Sequence, residues 1–269
     1  MFKQDPKWLL SRSVKLLLRI PQLEELSLVI DERSNNLDSL AQSLSHLHAL
    51  RKLELDFRFR NDKLGSPRNY EIHNFGKVIA ANPSLTHLTL KNSGTGDNAD
   101  LSRMFGHVPA DRPLKLEHIT LSGLFFGEEA IVPHIRSLTS FHLSNGVYLR
   151  LLLAEGIFPP VIGMDYAGPD SREYFDQHPR ITSLSFVGGC QGVPVFETIA
   201  RHSASLISLT IYAWRFYDLL ERIANETVLL RCTNLQELVF YYHRNTDSTY
   251  PQVTPEMVST SVMCLCFMF

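Results

Sequence analysis

The stretch Asn82-Pro83-Ser84-Leu85-Thr86-His87-Leu88-Thr89-Leu90 decides how this chain is read. Leu85, Leu88 and Leu90 form an apolar hexad at positions 1, 4 and 6, with Thr86, His87 and Thr89 between them. The alternation at Leu88 and Leu90 is that of a strand with one buried row. Pro83 cannot continue a helix, so it returns the chain to extended geometry just before the strand. The same hexad recurs from Leu23, Leu50, Leu116, Leu138, Ile181, Leu206 and Leu235. These eight copies contain 24 intervening positions, of which only Ile207 and Val239 are apolar. That polarity separates a patterned repeat from the chance spacing of an apolar-rich chain. A weaker copy, Val161-Ile162-Gly163-Met164-Asp165-Tyr166, fills the gap between Leu138 and Ile181. First positions then lie 20 to 35 residues apart, and the longest steps carry polar insertions at 60–67 and 93–98.

Helical patterns lie between the strands. Leu37, Leu40, Ala41, Leu44 and Leu47 keep one stripe, with Asn36 before them as a cap. Phe75, Val78 and Ile79 form a second stripe, and Val195, Phe196, Ile199 and Ala200 a third. A fourth runs through Phe216, Leu219, Leu220 and Ile223. The unit is therefore strand, turn, helix and return. One such unit cannot bury its apolar side alone, and stacking neighbours builds a continuous core. The expected fold is an α/β solenoid: about nine parallel strands line a concave sheet, with helices on the convex side. It covers residues 1–245, of which 1–22 are a partial N-terminal repeat helix, and 246–269 form a capping segment or tail.

Composition agrees with a globular protein. The 269 residues are 44% hydrophobic and 20% charged, which argues against wholesale disorder. With 26 Lys and Arg against 28 Asp and Glu, the chain has no basic field for nonspecific nucleic-acid binding. Four cysteines without a CxxC pair are too sparse for a secreted disulfide framework. Asp5 and Pro6 spoil an N-terminal signal peptide, and no apolar run reaches the roughly 18 residues of a membrane span. A reducing cytoplasmic or nuclear setting follows.

The segments Asn82–Leu90 and Cys232-Thr233-Asn234-Leu235-Gln236-Glu237-Leu238 resemble irregular leucine-rich repeats. They are similar to those of F-box/leucine-rich-repeat proteins, especially the divergent fungal ones, over about residues 8–245. The resemblance implies a protein-binding role, with the repeats holding the substrate of a cullin–RING ubiquitin ligase. The helix bundle that docks onto the ligase would belong to a longer form, since no LPxEIL-type opening precedes Leu23. The segment Trp8–Ile20 reads as the tail helix of a preceding repeat, which points to a fragment or truncated gene product.

Outward strand positions supply the candidate site. One end is charged, through Lys52, Glu54, Asp56 and Arg58. The middle is small and hydroxylic. The far end is aromatic, through Tyr212, Trp214, Tyr241 and His243, and clustered Tyr and Trp are favoured interface anchors. Trp214 has an equally good reading as core under the following helix. His87 and His118 share a hexad column in neighbouring repeats, so their rings should stack at strand spacing; His142 lies one column over. Three such histidines suit zinc, but no acid is expected beside them to orient the imidazoles, and the plainer reading is a solvated row. No metal and no cofactor is therefore assigned. A hydrolase or transferase using Cys190 or the His87/His118/His142 row is the alternative. Gly188-Gly189-Cys190-Gln191-Gly192 lacks any phosphate-loop or nucleophile-elbow spacing, and Cys190 reads as the small buried residue of its repeat. No catalytic residue is assigned, and the partner is expected to be a protein on the concave face. Finally, Cys266 opens a C-a-a-X ending, so membrane attachment arises only if Cys266 is prenylated; an end strand or helix over the last repeat is the plainer reading of the tail.

Overall fold

The computed structural model describes residues 19–20, 22–31, 37–58, 73–92, 99–100, 104–109, 111–125, 128–144, 147–165, 171–186, 195–213, 228–242 and 263–264. The chain divides into two units, Met1–Phe141 and His142–Phe269. Both are α/β, with successive parallel strands joined through helices or single helical turns.

The first unit runs β1 (Glu25–Asp31), α1 (Leu37–Leu44), β2 (Lys52–Arg58), α2 (Phe75–Ala80), β3 (His87–Asn92), β4 (Ala99–Asp100), β5 (His118–Ser122), β6 (Leu124–Phe125) and α3 (Glu128–Ile131). Strands β1, β2, β3 and β5 pair in parallel, so that Leu26, Leu53, Leu88 and Ile119 lie in one row and Leu28, Leu55, Leu90 and Leu121 in the next. The short strands β4 and β6 pair separately beyond the ends of β3 and β5, which the hexads do not foretell. Gly123 makes the step between β5 and β6 with φ at 66°, and a Cβ there would meet the Asn92 carbonyl oxygen at 2.5 Å. Only glycine fits that turn. Strand β7 (Ser140–Leu143) runs across the division between the units.

The second unit continues with α4 (Val147–Ala154), β8 (Val161–Met164), α5 (Ser171–Gln177), β9 (Ser183–Phe186), α6 (Val195–His202), β10 (Ser208–Ala213), β11 (Glu237–Tyr242) and β12 (Met263–Cys264). Here β8, β9, β10 and β11 are parallel, while β12 pairs antiparallel with β11 through Val239–Cys264 and Phe240–Met263. All nine hexads thus contain a strand. The expected helices at 8–18 and 216–223, the Asn36 cap, the turn at 188–192 and most of 246–269 lie outside the described residues.

One backbone device repeats through both units. The carbonyl at hexad position 2 accepts the N–H groups of positions 2 and 3 of the next repeat. Glu24 accepts from Arg51 and Lys52, Arg51 from Thr86 and His87, Thr86 from Glu117 and His118, and Glu117 from Thr139 and Ser140. In the second unit Pro160 accepts from Thr182 and Ser183, Thr182 from Ile207 and Ser208, and Ile207 from Gln236 and Glu237. Where position 2 is threonine its hydroxyl donates to the same carbonyl, Thr139 to Glu117 at 3.0 Å and Thr182 to Pro160 at 3.1 Å.

This device corrects the weak copy. Pro160 occupies position 2, and Val161 pairs with Ser183, Ile162 with Leu184, and Met164 with Phe186. The hexad therefore begins at Pro159, two residues before the expected Val161. A side-chain period of two means that such a shift moves the column but not the face. Gly163 keeps its outward phase, and Val161, 36% exposed, joins it.

Burial follows the hexads. Leu50, Leu85, Leu116, Ile181 and Leu206 at position 1 are buried, as are both inward rows from β2 to β10. Leu23 and Leu235, in the first and last hexads, are only half-buried, as befits repeats stacked chiefly from one side. Stripe residues Leu37, Leu40, Ala41, Leu44, Leu47, Phe75, Val78, Ile79, Val195, Phe196 and Ile199 are all buried. Before the hexads sits a buried side chain that bonds main chain. Asn82 accepts from the Leu50 N–H at 2.8 Å and donates to the Val78 carbonyl at 2.7 Å. His134, His178 and His202 hold similar places, and Cys232, whose thiol burial pushes up in pKa, lies 3.7 Å from the Val228 carbonyl.

Leu88 is 1% exposed in the middle of the first unit. Leu88→Ala is expected to cost about 2–5 kcal/mol in denaturant unfolding, and a variant as stable as the parent would contradict the register.

Candidate functional site

Outward positions 3, 5 and 7 of the hexads form the exposed face of each unit's sheet. In the first unit its charges are spent on one another. Lys52 Nζ lies 3.5 Å from Glu25 Oε2, Lys91 Nζ 3.0 Å from Glu54 Oε1, and Arg58 Nε 3.0 Å from Asp56 Oδ2. The Lys52–Glu25 and Lys91–Glu54 pairs, at least partly exposed, stabilise by at most about 1 kcal/mol each, and the pairing leaves the face neutral. Asp56 departs from expectation. It is buried, set in register between Val29 and Lys91 of the flanking strands.

The expected histidine stack is present. His87 and His118 are register partners, with ring centroids 4.1 Å apart and planes at 30°. Burial, the neighbouring His118 and Lys52 hold His87 below the usual histidine range, against the smaller pull of Glu117 and Glu25. Thr86 Oγ1 lies 2.9 Å from His87 Nδ1. The stack is a flat, partly covered aromatic surface set among hydroxyls from Thr89, Thr120 and Ser122.

His142 belongs to the second unit, and there the expectation fails. An acid is in place: His142 Nε2 lies 2.6 Å from Asp165 Oδ1, both side chains about one-third exposed. The Asp165 N–H also donates to the Leu143 carbonyl at 2.9 Å, which holds the carboxylate beside β7. Gly163 is the reason the ring can reach it. A Cβ at Gly163 would fall 2.3 Å from His142 Nδ1, so the imidazole occupies space that any other residue would fill. One nitrogen thus faces the carboxylate and the other faces the strand, an arrangement that orients the ring. Beyond it the face is small and hydroxylic, through Ser183, Ser185, Ser208 and Thr210, with Ser208 Oγ donating to Glu237 Oε2 at 2.7 Å. Val239, expected outward, is buried; it is the register partner of Cys264 in β12.

Of the aromatic end, Tyr212 and Tyr241 are register partners on β10 and β11. Trp214 and His243 lie outside the described residues, as do Cys190 and Cys266. Among the described residues no group of three or more His, Cys, Asp or Glu is placed to hold a metal ion. Sequence reasoning missed the His142–Asp165 pair. Its available signal was Asp165 at an outward position on the hexad after that of His142, with Gly163 outward two residues before it.

No protein-family model matches this chain, and the searches of curated proteins and of solved structures find no similar one.

Gly163→Ala is expected to push His142 off the strand and cost about 1–3 kcal/mol. Adding His142→Ala should recover most of the loss. Additive costs in that double-mutant cycle would show that ring and glycine do not share the space.

Proposed function

We propose that the chain is a leucine-rich-repeat solenoid, horseshoe in form, that acts as a non-catalytic protein-binding scaffold. The observation that supports this best is the alternation of burial along successive strands. From β2 to β10 the strands sink positions 4 and 6, and most of positions 3 and 5 stay half-exposed or exposed, on backbone already tied by the position-2 carbonyl. A surface built this way has little left to order on binding, so association loses little entropy. The uneven step lengths and the Asn82 and Cys232 segments support the repeat assignment. The partner is a protein lying along the outward rows, with Tyr212 and Tyr241 as aromatic anchors. By its resemblance to F-box/leucine-rich-repeat proteins, the function is substrate recognition for a cullin–RING ubiquitin ligase, recruited through a longer form of the protein. Cytoplasm or nucleus is the matching setting. Among the described residues, no helix is long and apolar enough to cross a membrane.

Affinity capture from eukaryotic extract, with the parent chain beside Tyr212→Ala and Tyr241→Ala, tests the proposal. Tyr241→Ala should stay within about 1 kcal/mol of the parent in stability yet lose a partner that the parent retains. An unchanged captured set would remove the aromatic end from the site. A large drop in melting temperature would make Tyr241 a core residue.

A further inference from the structure

Two histidines of the second unit are buried without any role on the sheet face. His178 follows α5 and His202 ends α6, each 4% exposed. His178 Nε2 lies 3.0 Å from the Pro159 carbonyl, and its Nδ1 lies 3.2 Å from the Arg180 amide nitrogen. A carbonyl only accepts and an amide N–H only donates, so the ring must be neutral with its proton on Nε2. His202 Nε2 donates to the Phe175 carbonyl at 3.3 Å. The two rings meet edge to face at 5.9 Å, and Phe158 and Tyr174 stand around His178 at 5.4 and 5.5 Å.

Among the described residues, no carboxylate bonds either ring. The Tyr174 hydroxyl donates to the Ile157 carbonyl, and burial raises its pKa, so it offers no counter-charge. Arg201 adds positive charge beside His202. The nearby acids are held elsewhere, Asp176 by Arg201 at 3.0 Å and Glu197 by Arg172 at 3.0 Å, while Glu173 accepts from Gln177. A second proton on His178 would set N–H against the Arg180 N–H and place a cation among aromatic rings.

We propose that His178 and His202 form an acid-sensitive latch, whose protonation releases the turns returning α5 and α6 to β9 and β10. Burial holds both rings below the usual histidine range, His178 at about 4, with the Pro159 bond opposing and His202 reinforcing the shift. The sign follows directly. The unfolded chain takes up protons near pH 6.5 and the folded one does not, so this stability is complete above 6.5 and is lost as pH falls towards 4. In the first unit the turn returning α2 to β3 is the non-titrating counterpart, since Asn82 fills the corresponding place with an amide, while His134 fills another with a buried imidazole. The latch is independent of what binds the sheet face.

Hydrogen exchange of the full chain between pH 7 and 4, corrected for intrinsic rates, tests it. Opening of the Leu184, Ile199 and Leu209 amides is expected to rise roughly 100-fold, the size set by one site shifted from 6.5 to about 4. Amides of α2 and Leu88 should change only a few-fold. His178→Asn with His202→Asn should flatten the response. If that variant does not fold, NMR titration of the parent imidazoles decides instead, with both rings expected to titrate below the ordinary histidine range. An equal rise around the Asn82 turn, a persisting acid step in the folded double variant, or ring titration at or above 6.5 would overturn the latch.

Discussion

One carbonyl per repeat sets the architecture. The oxygen at hexad position 2 receives two N–H groups from the following repeat, from Glu24 through Glu117 in the first unit and from Pro160 through Ile207 in the second. Each contact is an ordinary hydrogen bond, worth about 1 kcal/mol net, but leaving those groups unpaired would cost more. Their effect is geometric. Once position 2 of one repeat is tied to positions 2 and 3 of the next, the strand that follows has no freedom of register. Leucines at positions 4 and 6 then fall in rows, and the residues between them turn outward together. Threonine at position 2 strengthens the tie with its own hydroxyl.

The return from helix to strand needs a second kind of tie. Main-chain groups in those turns are sheltered from water and need partners, so a buried polar side chain supplies them. Asn82 does this with an amide. His134 does it with Nδ1, accepting from the Leu114 N–H at 3.1 Å, and burial keeps that ring below the usual histidine range. His178 and His202 do it with imidazoles in ring contact. Amide and imidazole are equivalent for packing at neutral pH and differ in acid, so the choice between them alters the conditions under which a repeat holds. The exposed face is built by the same economy of space. Glycine at 163 admits the His142 ring, and the ring then meets Asp165.

Much of this was readable from residues alone. The hexads located nine of the twelve described strands, because a buried row of period two leaves a pattern that polar intervening residues make unmistakable. The stripes at 37–47, 75–79 and 195–200 located three helices for the corresponding reason. The weak copy was misplaced because Pro159 and Pro160 stand where an aliphatic residue and a polar one usually do. Proline still offers the carbonyl that position 2 requires, a property invisible to an apolar count. The His87–His118 stack was legible because both share one hexad column. The His142–Asp165 pair was overlooked, although both residues are outward on successive hexads in either register; the column of Gly163 decides only that the ring has room to lie over it.

The sequence by itself determined where the nine hexad strands lie, most of the residues that turn inward and where the polar insertions fall. Those are consequences of local period and of water's exclusion from apolar side chains, and both are written along the chain. Tertiary structure alone decided the pairing of charges on the first unit's face, the burial of Asp56 and Val239, and the states of the buried histidines. Most of these depend on what lies across a strand or beneath a turn, brought together from different repeats. Burial and hydrogen bonding act through space, so a histidine in the sequence becomes a neutral tie or a partly exposed ring only when its neighbours have been brought to it.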